Sequence, residues 1–196
     1  MKFNSDIDID FADREQALKF IDHTPASIMR DGKLVSHNTG VYATQVPQDP
    51  FSGLCSLDYE LAEDRGYVKL DFLNVNLYRQ VQNEQQLIEL MNHAPDWQRF
   101  NSDQEFFEQL IHVNSHWELL KKMPEPVDTI ARLAMFLAVI RPGKRYLVGR
   151  SWKEVGEEVW TKPTDDAYYF KKSHSLAYAH LVVVNMNLIS LANQHN

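Results

Sequence analysis

Three aspartates at alternate positions stand out as candidates for chemistry: Asp6, Asp8 and Asp10, within Ser5-Asp6-Ile7-Asp8-Ile9-Asp10-Phe11. Ile7, Ile9 and Phe11 alternate with them, the period-two pattern of a strand running from Phe3 to Phe11. On a strand, side chains two residues apart share a face at a spacing of about 6.6 Å. Like charges so placed repel, and water removes only part of the cost. A divalent cation would remove it, and Mg²⁺, a hard ion, takes carboxylate oxygens. Asp71 sits between Leu70 and Phe72 in a second strand from Tyr67 to Phe72. An acid among apolar neighbours needs a partner or a task. Two acids from one strand and one from its neighbour suit two-metal phosphoryl transfer. An Asp-rich edge strand also has a plainer use, since a solvated, charged edge blocks edge-to-edge aggregation.

Other polar residues offer weaker signals. His37, beside Asn38-Thr39-Gly40, reads as a residue that hydrogen-bonds a turn. His112 and His116 lie four apart, a spacing that can present a metal pair on a helix, but they have no third ligand nearby and read better as surface or capping residues. Arg141, Lys144, Arg145, Arg150 and Lys153 form a positive run before the first acid, Glu154. Arg141 suits either a phosphate or the carbonyls ending a helix. Lys171, Lys172 and His174 open a long apolar segment. In a first helical turn they face the positive end of the dipole, an arrangement that a bound phosphate would relieve.

The elements that must position these groups follow from pattern. Asp13 caps a short helix from Arg14 to about Asp22. Arg30-Asp31-Gly32 marks a hairpin between flanking strands, and Gly40 to Val46 reads as a further strand. Helical patterns then dominate: 83–93, 102–113 with Ser102 and Glu105 as a capping box, 114–122, an apolar helix over 126–140 stopped by Pro142-Gly143, 151–160 and 173–193. Phe106, Phe107, Trp117 and Tyr178 read as core. Strands early and helices late indicate an α+β fold, with a mixed sheet in residues 1–82 and a helical part in 83–196 packed on it as one compact domain.

Composition narrows the function. Twenty Lys and Arg against 27 Asp and Glu give a formal net charge of −7, which disfavours a charge-driven nucleic-acid binder. Residues 1–100 carry all of that net charge and 101–196 are balanced, so one half suits cations and the other can meet phosphates. A single cysteine, Cys55, excludes a disulfide framework and a Cys-based zinc site. Four aspartates within residues 1–13 argue against a signal peptide, and the apolar stretch 176–192 is interrupted by His180, Asn185, Asn187 and Ser190. A cytoplasmic protein is expected.

Taken together in order, five segments resemble a known family. Ser5 to Phe11 resembles the P-D-x-D-x-D-F motif in the palm of bacterial DNA polymerase III alpha subunits, the family C polymerases. Ser36-His37-Asn38-Thr39-Gly40-Val41-Tyr42 is similar to H-A-G-G-V-V, and Val68-Lys69-Leu70-Asp71-Phe72-Leu73 to V-K-F-D-F-L. Residues 128–143 (DTIARLAMFLAVIRPG) resemble D-I-I-A-L-V-A-L-F-R-P-G, and Phe170 to Ala179 resembles F-N-K-S-H-A-A-A-Y-A.

The resemblance implies a palm-like, nucleotidyltransferase-type sheet with helical fingers. It gives Asp8, Asp10 and Asp71 as catalytic, metal-holding residues for two Mg²⁺ ions, with Asp6 as the motif's non-catalytic acid. It also gives Arg141, Lys171, Lys172 and His174 as residues that meet the triphosphate or the DNA. DNA and deoxynucleoside triphosphates, or a replication protein, would be the partners. The chain departs from the family in length and in lacking the upstream Gly-Ser motif that grips the triphosphate. Gly149-Arg150-Ser151, before a short helix, offers a substitute phosphate nest. So reduced and acidic a relative suits a bacteriophage. Three functions follow: a miniature polymerase, a polymerase-derived module that binds DNA, nucleotide or a replication partner without turnover, and a metal-dependent nuclease.

Overall fold

The computed structural model describes residues 7–164 and 167–194. It is mixed α/β, and the chain divides into two units, 1–81 and 82–196. Asp6 lies outside the described residues.

The first unit is built on four strands: β1 (Ile7–Phe11), β2 (Thr24–Arg30), β3 (Lys33–Tyr42) and β4 (Leu70–Asn74). They lie in the order β1-β4-β3-β2, with β1 parallel to β4 and the other pairs antiparallel. The β2–β3 hairpin turns on Asp31 and Gly32, both at positive φ (49° and 74°), as the Asp-Gly step predicts. A parallel pair needs a long crossover. Here it consists of α1 (Arg14–Leu18), the hairpin, a loop and α2 (Tyr59–Asp64).

Alternation gives the sheet two chemically distinct faces. On one, Ile9, Phe11, Leu70 and Phe72 join Val41, with Leu18 of α1 and Ile21 packed against them. On the other, Tyr42 and Ala26 cluster with Cys55 and with Ala62 of α2. The aspartates occupy this second face, beyond the edge of that small core. Past β4 the chain makes a 3₁₀ turn over Asn76–Gln80, whose Arg79 donates to the Ala12 carbonyl at 3.0 Å and pins the end of β1.

The second unit is helical: α3 (Glu84–Asn92), α4 (Trp97–Ser102), α5 (Gln104–Phe107), α6 (Trp117–Leu120), α7 (Ile130–Val139), α8 (Trp152–Glu158) and α9 (Lys172–Gln194). Its core gathers Phe100, Phe106, Phe107, Leu133, Phe136, Leu137 and Val182 around α7 and α9. The continuous helix expected over 102–113 is broken. Ser102 ends α4, and Asp103 caps α5 by accepting from the Phe106 amide at 2.9 Å. Ser102 is not free to cap α5, because it lies in the last turn of α4 and its hydroxyl donates to the Gln98 carbonyl at 2.8 Å. The helix expected over 114–122 shrinks to α6, and α2 and α4 form where no helix was expected.

By length and composition α9 could cross a membrane, yet half of that stretch is buried inside the protein. Asn185 and Asn187 show why it is a core helix. Asn185 accepts from the Ile111 amide at 2.8 Å, and Asn187 donates to the Leu90 and His93 carbonyls at 2.8 and 3.1 Å. Buried amides this well paired tie the end of α3 and the turn at Ile111 to one helix.

Candidate metal centre and phosphate site

Parallel pairing sets Asp8 of β1 directly opposite Asp71 of β4, and Asp10 follows two residues along the same face. Residues opposite one another in a parallel pair present their side chains to the same side, so the three acids share one face. Asp8 and Asp10 are exposed at the sheet edge, while Asp71 is only 8% exposed. Crowding by neighbouring atoms, and then the Asp8 carboxylate, push the Asp10 pKa above its usual value. Asp10 in turn helps raise the pKa of Tyr78 in the 3₁₀ turn, second to burial of that phenol.

Asp71 is held by neighbours that sequence reasoning left aside. Thr39 donates its hydroxyl to Asp71 Oδ1 at 2.7 Å, and the Lys69 ammonium pairs with Asp71 Oδ2. Lys69 stands two residues before Asp71, so strand alternation alone could have found it. Thr39 was hidden by an irregularity in β3. Pairing with β2 jumps from Val41–Pro25 to Ser36–Ser27, so residues 37–40 bulge out. His37 closes the bulge by accepting the Thr39 and Gly40 amides at Nδ1, at 3.3 and 2.9 Å. Those bonds fit a neutral ring, and burial, then the Lys69 charge, lower the His37 pKa. His37 is thus the turn residue that its sequence suggests.

Gly40, opposite Asp71, leaves room for this arrangement. A Cβ there would lie 2.8 Å from Lys69 Cδ, 2.9 Å from His37 Nδ1 and 3.0 Å from Ala26 Cβ. Gly40→Ala is therefore expected to lower stability by about 1–3 kcal/mol, the usual cost of overpacking. A denaturant midpoint equal to wild type would show that the bulge does not depend on this gap.

The donor set fits a hard divalent cation: carboxylates from paired strands, a hydroxyl, and a like-charge cost on Asp10 that a cation would relieve. The acids share a face without meeting at one point. Among the described residues no three His, Cys, Asp or Glu side chains are gathered closely enough to hold a metal ion.

The other candidates lie in the second unit. Lys171 precedes α9, Lys172 is its first residue and His174 its third. The substitute nest at Gly149-Arg150-Ser151 is corrected. Ser151 and Glu154 form a capping box that already serves the α8 N-terminus, and Arg150 pairs with Glu158 at 3.2 Å. Arg141 does not cap α7, because Arg145 donates to the Ile140 carbonyl at 2.9 Å instead. The Arg141 guanidinium lies over the Phe170 ring, 4.1 Å from its centroid, and Phe170 stacks on Tyr178.

His112 and His116 do not share a helix. They fall in the turns between α5 and α6, with His112 at φ 64°. His112 meets the Tyr178 ring edge-on at 4.3 Å. Burial, then the Arg141 charge, lower the His112 pKa to about 4 from an ordinary 6.5. Unfolded chain therefore takes up a proton below pH 6.5 that folded chain refuses until about 4, and stability falls across that window. His112→Asn keeps a residue type suited to positive φ and removes the titration. The wild type should lose more stability than this variant between pH 7.5 and 4.5, measured by urea unfolding. Equal losses would contradict the assignment.

Compared with known protein families, with curated proteins and with solved structures, the chain matches none.

Proposed function

We propose that the chain is a reduced relative of the family C polymerase palm and fingers that carries out nucleotidyl transfer in DNA replication, in the cytoplasm of a cell or phage-infected host. The observation that carries this reading is the pairing of Asp8 with Asp71, with Asp10 on the same face. The five collinear segments described above support it.

Asp8, Asp10 and Asp71 would hold two Mg²⁺ ions. When bound, Mg²⁺ supplies Lewis-acid polarisation of a phosphoryl oxygen and makes an attacking hydroxyl more acidic. Thr39 orients the Asp71 carboxylate through Oδ1, and His37 fixes the bulge that presents Thr39. Lys69, 18% exposed at its side chain, pairs with the other Asp71 oxygen. Phosphate binding is assigned to Arg141, Lys171, Lys172 and His174 of the second unit.

Primer extension with Mg²⁺ and four deoxynucleoside triphosphates, wild type against Asp8→Ala, tests the reading. Template-dependent synthesis lost in the variant supports it. No synthesis on any primed template removes it, and Mg²⁺-dependent degradation of the same DNA would point to a nuclease.

One observation favours a second reading, a module that binds DNA, nucleotide or a replication partner without turnover. Both Asp71 oxygens already have protein partners, Thr39 and Lys69. Tight partner binding that survives loss of Asp8 and Asp10 is the result expected of such a module.

A further inference from the structure

We propose that Arg141, His112 and His116 form a binding site in the second unit for a tetrahedral oxyanion, a phosphate or the phosphoryl group of a nucleotide. It shares Arg141 with the reading above but needs none of the aspartates. His112 and His116 lie in a stretch to which the resemblance does not extend.

Arg141 carries a charge that its unit leaves uncompensated. Its Nε is sealed from solvent with no hydrogen-bond acceptor. None of its guanidinium nitrogens bonds to a described residue, and among the described residues it has no acid partner; the nearby groups that favour its charge are the phenols of Tyr168 and Tyr178. The Phe170 ring beneath it supplies a cation–π contact but no acceptor. Buried guanidinium donors left unmade are costly, and charge-assisted bonds to an oxyanion are the strong remedy.

Two imidazoles lie within reach of its charge. Neither the His112 nor the His116 imidazole bonds to a described residue, and both feel the Arg141 charge. Arg145 adds positive potential at His116. His112 is held in place by its positive-φ turn and by Tyr178, which also stacks on Phe170. Arg141, Phe170, Tyr178 and His112 thus form a continuous set of contacts, fixing the guanidinium and one imidazole before any ligand arrives. A carboxylate would be satisfied by the planar guanidinium fork alone. Donors from three separate positions suit a group with oxygens in three or four directions.

The test uses the full chain at constant ionic strength, with inorganic phosphate and a deoxynucleoside triphosphate as separate titrants. Calorimetry gives affinity, and the imidazole proton resonances report on the site. Wild type is expected to bind phosphate with shifts at both His112 and His116. Arg141→Met, which keeps an apolar contact on Phe170, should bind about 10- to 100-fold more weakly, as expected for loss of a charge-assisted hydrogen bond. The double variant Asp8→Ala/Asp10→Ala should bind phosphate like wild type, which separates this site from the metal reading. Tighter triphosphate binding would identify a nucleotide as the source of the phosphoryl group, and equal affinities a free phosphate. No phosphate binding by wild type, unchanged affinity in Arg141→Met, or binding that leaves both imidazoles unmoved would each overturn the proposal.

Discussion

Asp8→Ala and Asp10→Ala should each slow Mg²⁺-dependent nucleotidyl transfer by about a thousandfold or more. A metal ion holding charge in a transition state contributes several kcal/mol, and each 1.4 kcal/mol is roughly tenfold in rate. Asp8 stands opposite Asp71, and Asp10 bears the like-charge cost that a cation would offset, so neither loss is made good by a neighbour on that face. Both side chains are exposed on an edge strand, so their removal should leave folding intact. Single-turnover primer extension gives the rates, and circular dichroism checks the fold. A variant with more than about a tenth of wild-type rate would be incompatible with a metal-holding role, since the expected loss is far larger.

Phe136→Ala should destabilise the chain by about 3–5 kcal/mol. Phe136 is wholly buried near the middle of α7, within the cluster that also contains Phe107, Leu133 and Val182. Truncation removes the transfer energy of the ring and leaves a cavity whose walls belong to well-packed helices and collapse only partly. Urea unfolding of the full chain measures the shift. A loss below about 1 kcal/mol would mean that the packing around α7 and α9 relaxes to fill the gap.

Local signals in the sequence reach far into this fold. The alternation of Ile7, Ile9 and Phe11 with aspartates, the Asp31-Gly32 turn, the Asp13 cap and the amphipathic pattern that opens at Ser151 all act within a few residues, and each has its element. What stayed hidden depends on contacts distant in sequence. The stretch 102–113 carries one apolar stripe, yet helix α5 stops at Phe107 and turns follow, with the Ile111 amide bonded to Asn185 of α9 and His112 at positive φ. The 37–40 bulge arises because β3 must pair with β2 on one side and β4 on the other, and no local pattern encodes that mismatch.

The site divides in the same way. Placing Asp71 on a strand beside the Asp-rich one follows from an acid in an apolar run, whereas the one-to-one pairing of Asp8 with Asp71 depends on the long crossover between Phe11 and Leu70. Lys69 was within reach of the alternation rule. Thr39, two residues past His37, was not, because the bulge resets which side chains face the acids. Arg141 was marked by its place in a positive run, but its stack on Phe170 and its closeness to His112 and His116 are tertiary.

Calorimetric titration of Mn²⁺ into the full chain, wild type against Asp8→Asn and Asp71→Asn, tests most directly whether the acids of β1 and β4 act as one cation site. Saturable binding by wild type, weakened at least tenfold by either substitution, is the expected result, since each amide removes a charged ligand. Absence of binding in wild type, or binding that persists unchanged when Asp8 or Asp71 is neutralised, would contradict the account.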